Sequence, residues 1–133
     1  IACNREEAER ILGSSGADMR QLLEGMRALG PKIALVTDGT AGAYAYAGTE
    51  MLHVPMYPDA KPPVDRTGAG DATTSSVVAA IVLGKPLKEA LLWGPVNAMS
   101  VVQEVGAQKG LLSRADIENR LAAAPAEYRV TAL

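Results

Sequence analysis

The chain has 133 residues, 48% apolar and 21% charged, which suits a single domain with a sizeable core. A net charge of −2, a pI near 5.4 and the lack of any Lys/Arg block exclude an electrostatic nucleic-acid or anionic-membrane binder. One cysteine, Cys3, and one histidine, His53, leave no disulfide framework and no zinc site, and no apolar run is long enough to span a bilayer, so the cytosol is the expected compartment.

The first residues, Ile1-Ala2-Cys3, are apolar and lack an initiator Met, as if a strand had been cut partway, and a fragment is expected. Asn4 then caps a helix over Arg5 to Leu12 with acidic residues in its first turn, and Gly13-Ser14-Ser15-Gly16 ends it. A second helix starts at Asp18, with Gln21 at capping-box spacing and an apolar stripe of Met19, Leu22, Leu23, Met26 and Leu29; Gly30-Pro31 stops it. Ile33 to Thr37 reads as a buried strand. Gly42 to Ala47 and Met51 to Val54 read as a hairpin turning at Gly48-Thr49, with His53 a strand residue rather than a ligand. Pro55, Pro58, Pro62 and Pro63 mark an extended connector with expected mobility.

Beyond the connector, Ala72 to Leu83 reads as a helix apolar on all faces, hence buried. Leu87 to about Val105 is helical with Gly94-Pro95 expected to kink or split it. Ser113 and Asp116 box the start of a last helix reaching about Ala124, and Tyr128 to Thr131 suggests a short final strand. Strands and helices intermix around one hairpin, which predicts an α/β fold whose sheet is mostly parallel with one antiparallel excursion.

The chemistry concentrates in Asp65-Arg66-Thr67-Gly68-Ala69-Gly70-Asp71. Its glycines let successive backbone N–H groups approach an anion, and the following helix aims its positive end at the same place. Asp71 would repel a resting anion, but fits a base that takes a proton from a hydroxyl while those donors hold charge on a transferring phosphoryl group. The same residues also read as a plain turn with Asp71 capping a helix.

Several motifs in order resemble the C-terminal half of the ribokinase-like, PfkB-type carbohydrate kinases over nearly the whole chain. Asn4-Arg5-Glu6-Glu7 is similar to the family's N-x-x-E, Thr37 to Ala43 to its T-x-G-x-x-G-A, Asp65 to Asp71 to its D-T-T-G-A-G-D, and Gly106-Ala107 to its late G-A turn. The resemblance implies a three-layer α/β/α, Rossmann-like sheet, with residues 1–133 the nucleotide-binding portion of a larger domain and the N-terminal half and lid absent. It implies transfer of the ATP γ-phosphoryl group to a hydroxyl of a sugar or nucleoside, with Asp71 as base and the amides of Gly68, Ala69 and Gly70 as anion hole. Asn4 and Glu7 match residues that order Mg²⁺ and phosphates, Glu7 through water. Thr37, Gly39 and Gly42 match the loop beside the nucleotide phosphates, and Asn97 falls on the adenine side.

Asp65, Thr67 and carbonyls of the Val102 to Gly106 turn match a monovalent cation site suited to K⁺. Two departures stand out: Arg66 where Ser or Thr is usual, and Thr73 where an aromatic is common. The partners implied are a nucleotide and a small sugar-type acceptor, with pairing of two copies a further expectation for an isolated half. The alternative is a nucleotide-binding fragment or degenerate module without catalysis. A dinucleotide-binding domain is disfavoured because no G-x-G-x-x-G follows an early strand.

Overall fold

The computed structural model describes residues 1–59 and 61–133; Ala60, within the connector whose mobility the prolines suggest, lies outside the described residues. In chain order the elements are β1 (Ala2–Asn4), α1 (Arg5–Leu12), α2 (Met19–Ala28), β2 (Ile33–Thr37), a 3₁₀ turn (Gly39–Ala41), β3 (Ala43–Ala47) and β4 (Glu50–Val54). These are followed by α3 (Ala69–Val82), α4 (Leu87–Val101), α5 (Arg114–Ala122) and β5 (Thr131–Ala132).

The strands lie in the sheet in their sequence order, β1 to β5. Only β1 and β2 run parallel; β2–β3, β3–β4 and β4–β5 are antiparallel, so within these residues the sheet is mixed and less parallel than the sequence suggests. The reason is local: Gly48-Thr49 closes a tight hairpin, and β2 turns directly into β3 through the 3₁₀ turn without a crossover helix. Alternation along the strands separates two apolar layers. Ala34 and Val36 face Leu22, Leu23 and Met26 of α2, while Leu35, Ala45, Leu52 and Val54 face Val77, Leu91 and Val96 of α3 and α4.

Capping boxes open three of the helices. Asn4 pairs with Glu7, Asp18 with Gln21 and Ser113 with Asp116, each side chain accepting from the backbone N–H three residues on. Leu29, expected in the α2 stripe, is instead the helix's last cap and is exposed. α4 neither splits nor stops at Gly94-Pro95: it runs to Val101, and Gly94 lets α3 lie close, since a Cβ there would sit 2.8 Å from Thr73 Cγ2. Val105 falls beyond the helix and is exposed.

α3 begins at Ala69, three residues earlier than the sequence suggests, and is not buried all round. Val78, Val82 and Leu83 are exposed, Val82 at 80%. Among the described residues β1 has a pairing partner only on its β2 side, and Ile1 beside it is exposed as well. Among the described residues no helix is long and apolar enough to cross a membrane.

Candidate active site

Gly68 caps α3 in the left-handed region at φ +81°, a conformation that disfavours any residue with a Cβ. There is a second reason for glycine, because a Cβ at Gly68 would lie 2.6 Å from the Cβ of Ala107. The late Gly106-Ala107 turn therefore packs directly on the start of α3. Asp65 ties the same two segments together: one carboxylate oxygen accepts from the Thr67 N–H at 2.9 Å and its hydroxyl at 2.7 Å, the other from the Gly106 N–H at 2.9 Å. These donors hold the Asp65 carboxyl below the usual carboxylate range, the Thr67 hydroxyl contributing most.

The helix end so fixed presents free donors. The Ala69 N–H reaches the Arg66 carbonyl at 3.3 Å, whereas the amides of Gly68, Gly70 and Asp71 have no protein acceptor among the described residues. Unpaired first-turn amides, with the positive end of the helix dipole behind them, are groups that can hold an anion. Asp71 stands in that same turn with its side chain exposed.

Two pockets meet here. One, of about 240 Å³, is lined by Gly39 and Gly42 from the turn after β2, by Ala69 of α3, and by Pro95, Ala98 and Val102 around α4. The other, of about 510 Å³, holds Asn4, Glu7, Cys3 and Asp71. Thr37 and Gly70 line both, so the two form one groove across the C-terminal ends of β1 and β2. Asn4 and Asp71, 67 positions apart in sequence, thus converge on it.

Asn4 and Glu7 bond each other: the Glu7 N–H donates to Asn4 Oδ1 at 2.8 Å and the Asn4 N–H to Glu7 Oε2 at 2.9 Å. Glu7 lines the groove and its second oxygen has no hydrogen-bond donor among the described residues, which fits a cation that keeps most of its water and binds one carboxylate indirectly. No group of three or more metal-ligating side chains exists among the described residues. A monovalent cation is expected at Asp65, Thr67 and Gly106. Those residues do come together: Asp65 Oδ1 accepts two hydrogen bonds from Thr67, Oδ2 accepts one from Gly106 and keeps a lone pair, and the Val102 carbonyl takes the Val64 and Asp65 amides at 2.7 and 3.2 Å.

Asn97 does not face the groove. It is 4% exposed, donates to Ser76 Oγ at 2.8 Å and accepts from the Leu112 N–H at 2.9 Å, a buried bridge between α3, α4 and the segment before α5. Cys3 is half-buried, and desolvation followed by the nearby Glu7 charge pushes its thiol up, away from a reactive thiolate.

Sequence reasoning missed part of the pocket wall. Met56 and Asp59 of the connector line it together with Arg66 and Thr73. Desolvation pushes the Asp59 carboxyl up, with the Arg66 cation partly opposing. The Arg66 substitution within the glycine-rich turn was the available signal, since it puts a long cation at the pocket rim.

A family model described as pfkB family carbohydrate kinase matches residues 1–114. The ribokinase of Bacillus subtilis is 34% identical over 94 residues, covering 71% of this chain and 31% of its own length. The structure of Arabidopsis thaliana ribokinase complexed with ribose and ATP is 29% identical, with a TM-score of 0.81, covering 90% of this chain and 39% of that one. An E. coli protein assigned as a ribokinase II, in complex with ATP and Mg²⁺, is 26% identical with a TM-score of 0.80, covering 92% of this chain and 38% of that one. The chain spans about a third of the length of the curated relatives it matches.

Proposed function

Because the chain belongs to the pfkB family of carbohydrate kinases, we propose that residues 1–133 form the nucleotide side of a kinase site that transfers the γ-phosphoryl group of ATP to a sugar or nucleoside hydroxyl. The observation that carries this reading is the groove in which Asp71 and the unpaired amides of Gly68 and Gly70 share one helix end. Nucleotide phosphates would lie along Gly39 and Gly42, with the base against Pro95, Ala98 and Val102.

In that arrangement Asp71 accepts the proton of the acceptor hydroxyl as its oxygen attacks the γ-phosphorus, and the bond to the β-phosphate oxygen breaks to release ADP. The amides at the start of α3 hold the charge on the transferring oxygens. Glu7, fixed by its bond to Asn4, orients water on the metal side, where Mg²⁺ supplies neutralisation of the phosphates. A monovalent cation such as K⁺ beside Asp65, Thr67 and Gly106 would complete the charge balance of this reading. We place the enzyme in the cytosol, with nucleotide and a small hydroxyl acceptor as its partners.

A second reading is favoured by the exposed β1 edge and the bare Val78 of α3, which lines the groove with Asp71: the acceptor side has no wall in these residues. The chain by itself then binds nucleotide without turnover, and the free edge gives a second copy a place to pair. Calorimetric titration of the chain with Mg-ATP tests the common part. Saturable one-to-one binding is expected, and no heat of binding at millimolar nucleotide would reject the assignment of the groove.

A further inference from the structure

The turn that lines the nucleotide-side pocket is held from behind by residues that never reach the groove. Thr37 ends β2, and Gly39–Ala41 forms a 3₁₀ turn closed by its own backbone: the Ala41 N–H donates to the Asp38 carbonyl at 2.9 Å and the Gly42 N–H to the Gly39 carbonyl at 3.2 Å. Asp38, at its start, is gripped by Arg5, whose guanidinium donates to Asp38 Oδ2 at 2.9 Å and to the Ala17 carbonyl at 3.0 Å. At the far end His53 of β4 lies within 2.8 Å, Nε2 to O, of the Ala41 carbonyl. A carbonyl can only accept, so Nε2 carries the proton. The imidazole is held in place by stacking on Tyr44 of β3, with ring centroids 4.6 Å apart and planes 28° from parallel. Tyr44 and His53 are directly paired across the β3–β4 ladder, which sets this stack.

We infer that His53 is a positioning residue for nucleotide binding, its Nε2–H fixing the Ala41 carbonyl and with it the Gly39–Gly42 backbone that approaches the phosphates. This rests on the assignment of the groove to nucleotide. Gly39, Thr40 and Gly42 line the pocket, while Ala41 between them points its carbonyl to His53 behind it. Gly42 lies so close to Val54 and Pro55 that a Cβ would overlap the Val54 carbonyl, so the turn's C-terminal end has no slack. The peptide that carries the Ala41 carbonyl is otherwise held by the longer 3.2 Å bond from the Gly42 N–H to the Gly39 carbonyl, and the His53 bond fixes its other side. A backbone already held in its binding shape loses less entropy when phosphate arrives.

Two variants separate the donor from the ring. His53→Phe keeps the stack on Tyr44 and loses the donor; His53→Gln loses the ring and places an amide N–H near the former Nε2. In the 133-residue chain, hydrogen exchange at the Ala41 and Gly42 amides should quicken about tenfold in the Phe variant and return towards wild type in the Gln variant, with melting temperatures unchanged. Mg-ATP affinity, by calorimetry, should fall roughly three- to tenfold in the Phe variant and recover in the Gln variant. Unchanged exchange in His53→Phe, or quickened exchange with wild-type affinity, overturns the inference. A wild-type chain that binds no Mg-ATP instead rejects the nucleotide assignment itself, whatever the exchange rates show.

Discussion

The carboxylate of Asp65 accepts the Gly106 N–H at 2.9 Å, joining the turn before α3 to the turn after α4. The bond sits directly behind the proposed anion hole, because Ala107, next in sequence, packs on Gly68. Together with its two bonds from Thr67, this favours the ionised carboxyl, whose folded-state pKa is depressed. A depressed carboxyl stabilises the fold fully above its unfolded value, about 4, and the effect is lost as pH falls through the folded-state value. In urea melts the wild-type chain should therefore lead Asp65→Asn at pH 7, and the lead should shrink towards pH 3. A lead independent of pH would show that the charge is not what matters.

Gly68 and Gly70 are separated by one residue and should respond in opposite ways to alanine. Gly68→Ala forces a left-handed alanine against Ala107 and should cost roughly 2–4 kcal/mol in denaturant unfolding. At Gly70 a Cβ meets nothing within 4 Å, and the residue is helical, so Gly70→Ala should be neutral or stabilise by about 0.5–1 kcal/mol. The same methyl projects where phosphate would approach the backbone, and Mg-ATP affinity should drop about tenfold or more. Equal nucleotide affinity in Gly70→Ala and wild type would remove these amides from the site.

Asp71→Asn in the full-length kinase should retain nucleotide affinity and lose turnover by about 10³-fold, the scale of a general base. Steady-state assays with a sugar and a nucleoside panel, beside calorimetry, make the comparison. Turnover within tenfold of wild type would disqualify Asp71 as base.

Asn97→Ala strips partners from Ser76 and from the Leu112 N–H inside the α3–α4 contact, and should lower unfolding free energy by roughly 1–3 kcal/mol. Nucleotide affinity should change little, since the amide is turned away from the groove. A large affinity loss with normal stability would restore Asn97 to the adenine side.

Local chemistry was the most legible. Asn4 with Glu7, Asp18 with Gln21 and Ser113 with Asp116 are three-residue signals and give the helix starts directly, and β2 is bounded as the sequence suggests. The three motifs that meet at Thr37 and Gly70 were also readable, though their convergence depends on sheet order. Hidden from sequence were facts made by distant partners. Asn97 is a bridge only because Ser76 and Leu112 flank it. Val82 looks like core in an apolar helix, yet no described element covers it. His53 has no sequence neighbour to bond; its acceptor arrives through the β3–β4 register. The Met56 and Asp59 wall comes from a proline-rich connector whose path no periodicity encodes.

Strand order that copies sequence order shapes how the chain reaches this state. β2, β3 and β4 pair through short connections, so their contacts close small loops and form early, while β1 waits for α1 and α2 to fold back. β5 must return past three helices to reach β4, and its two paired positions make it the last closure and the first opening. Native-state exchange should accordingly show Thr131 and Ala132 releasing well below the global unfolding free energy. The Gly39–Ala41 turn, nested between β2 and β3, should by the same argument exchange among the slowest parts of the molecule.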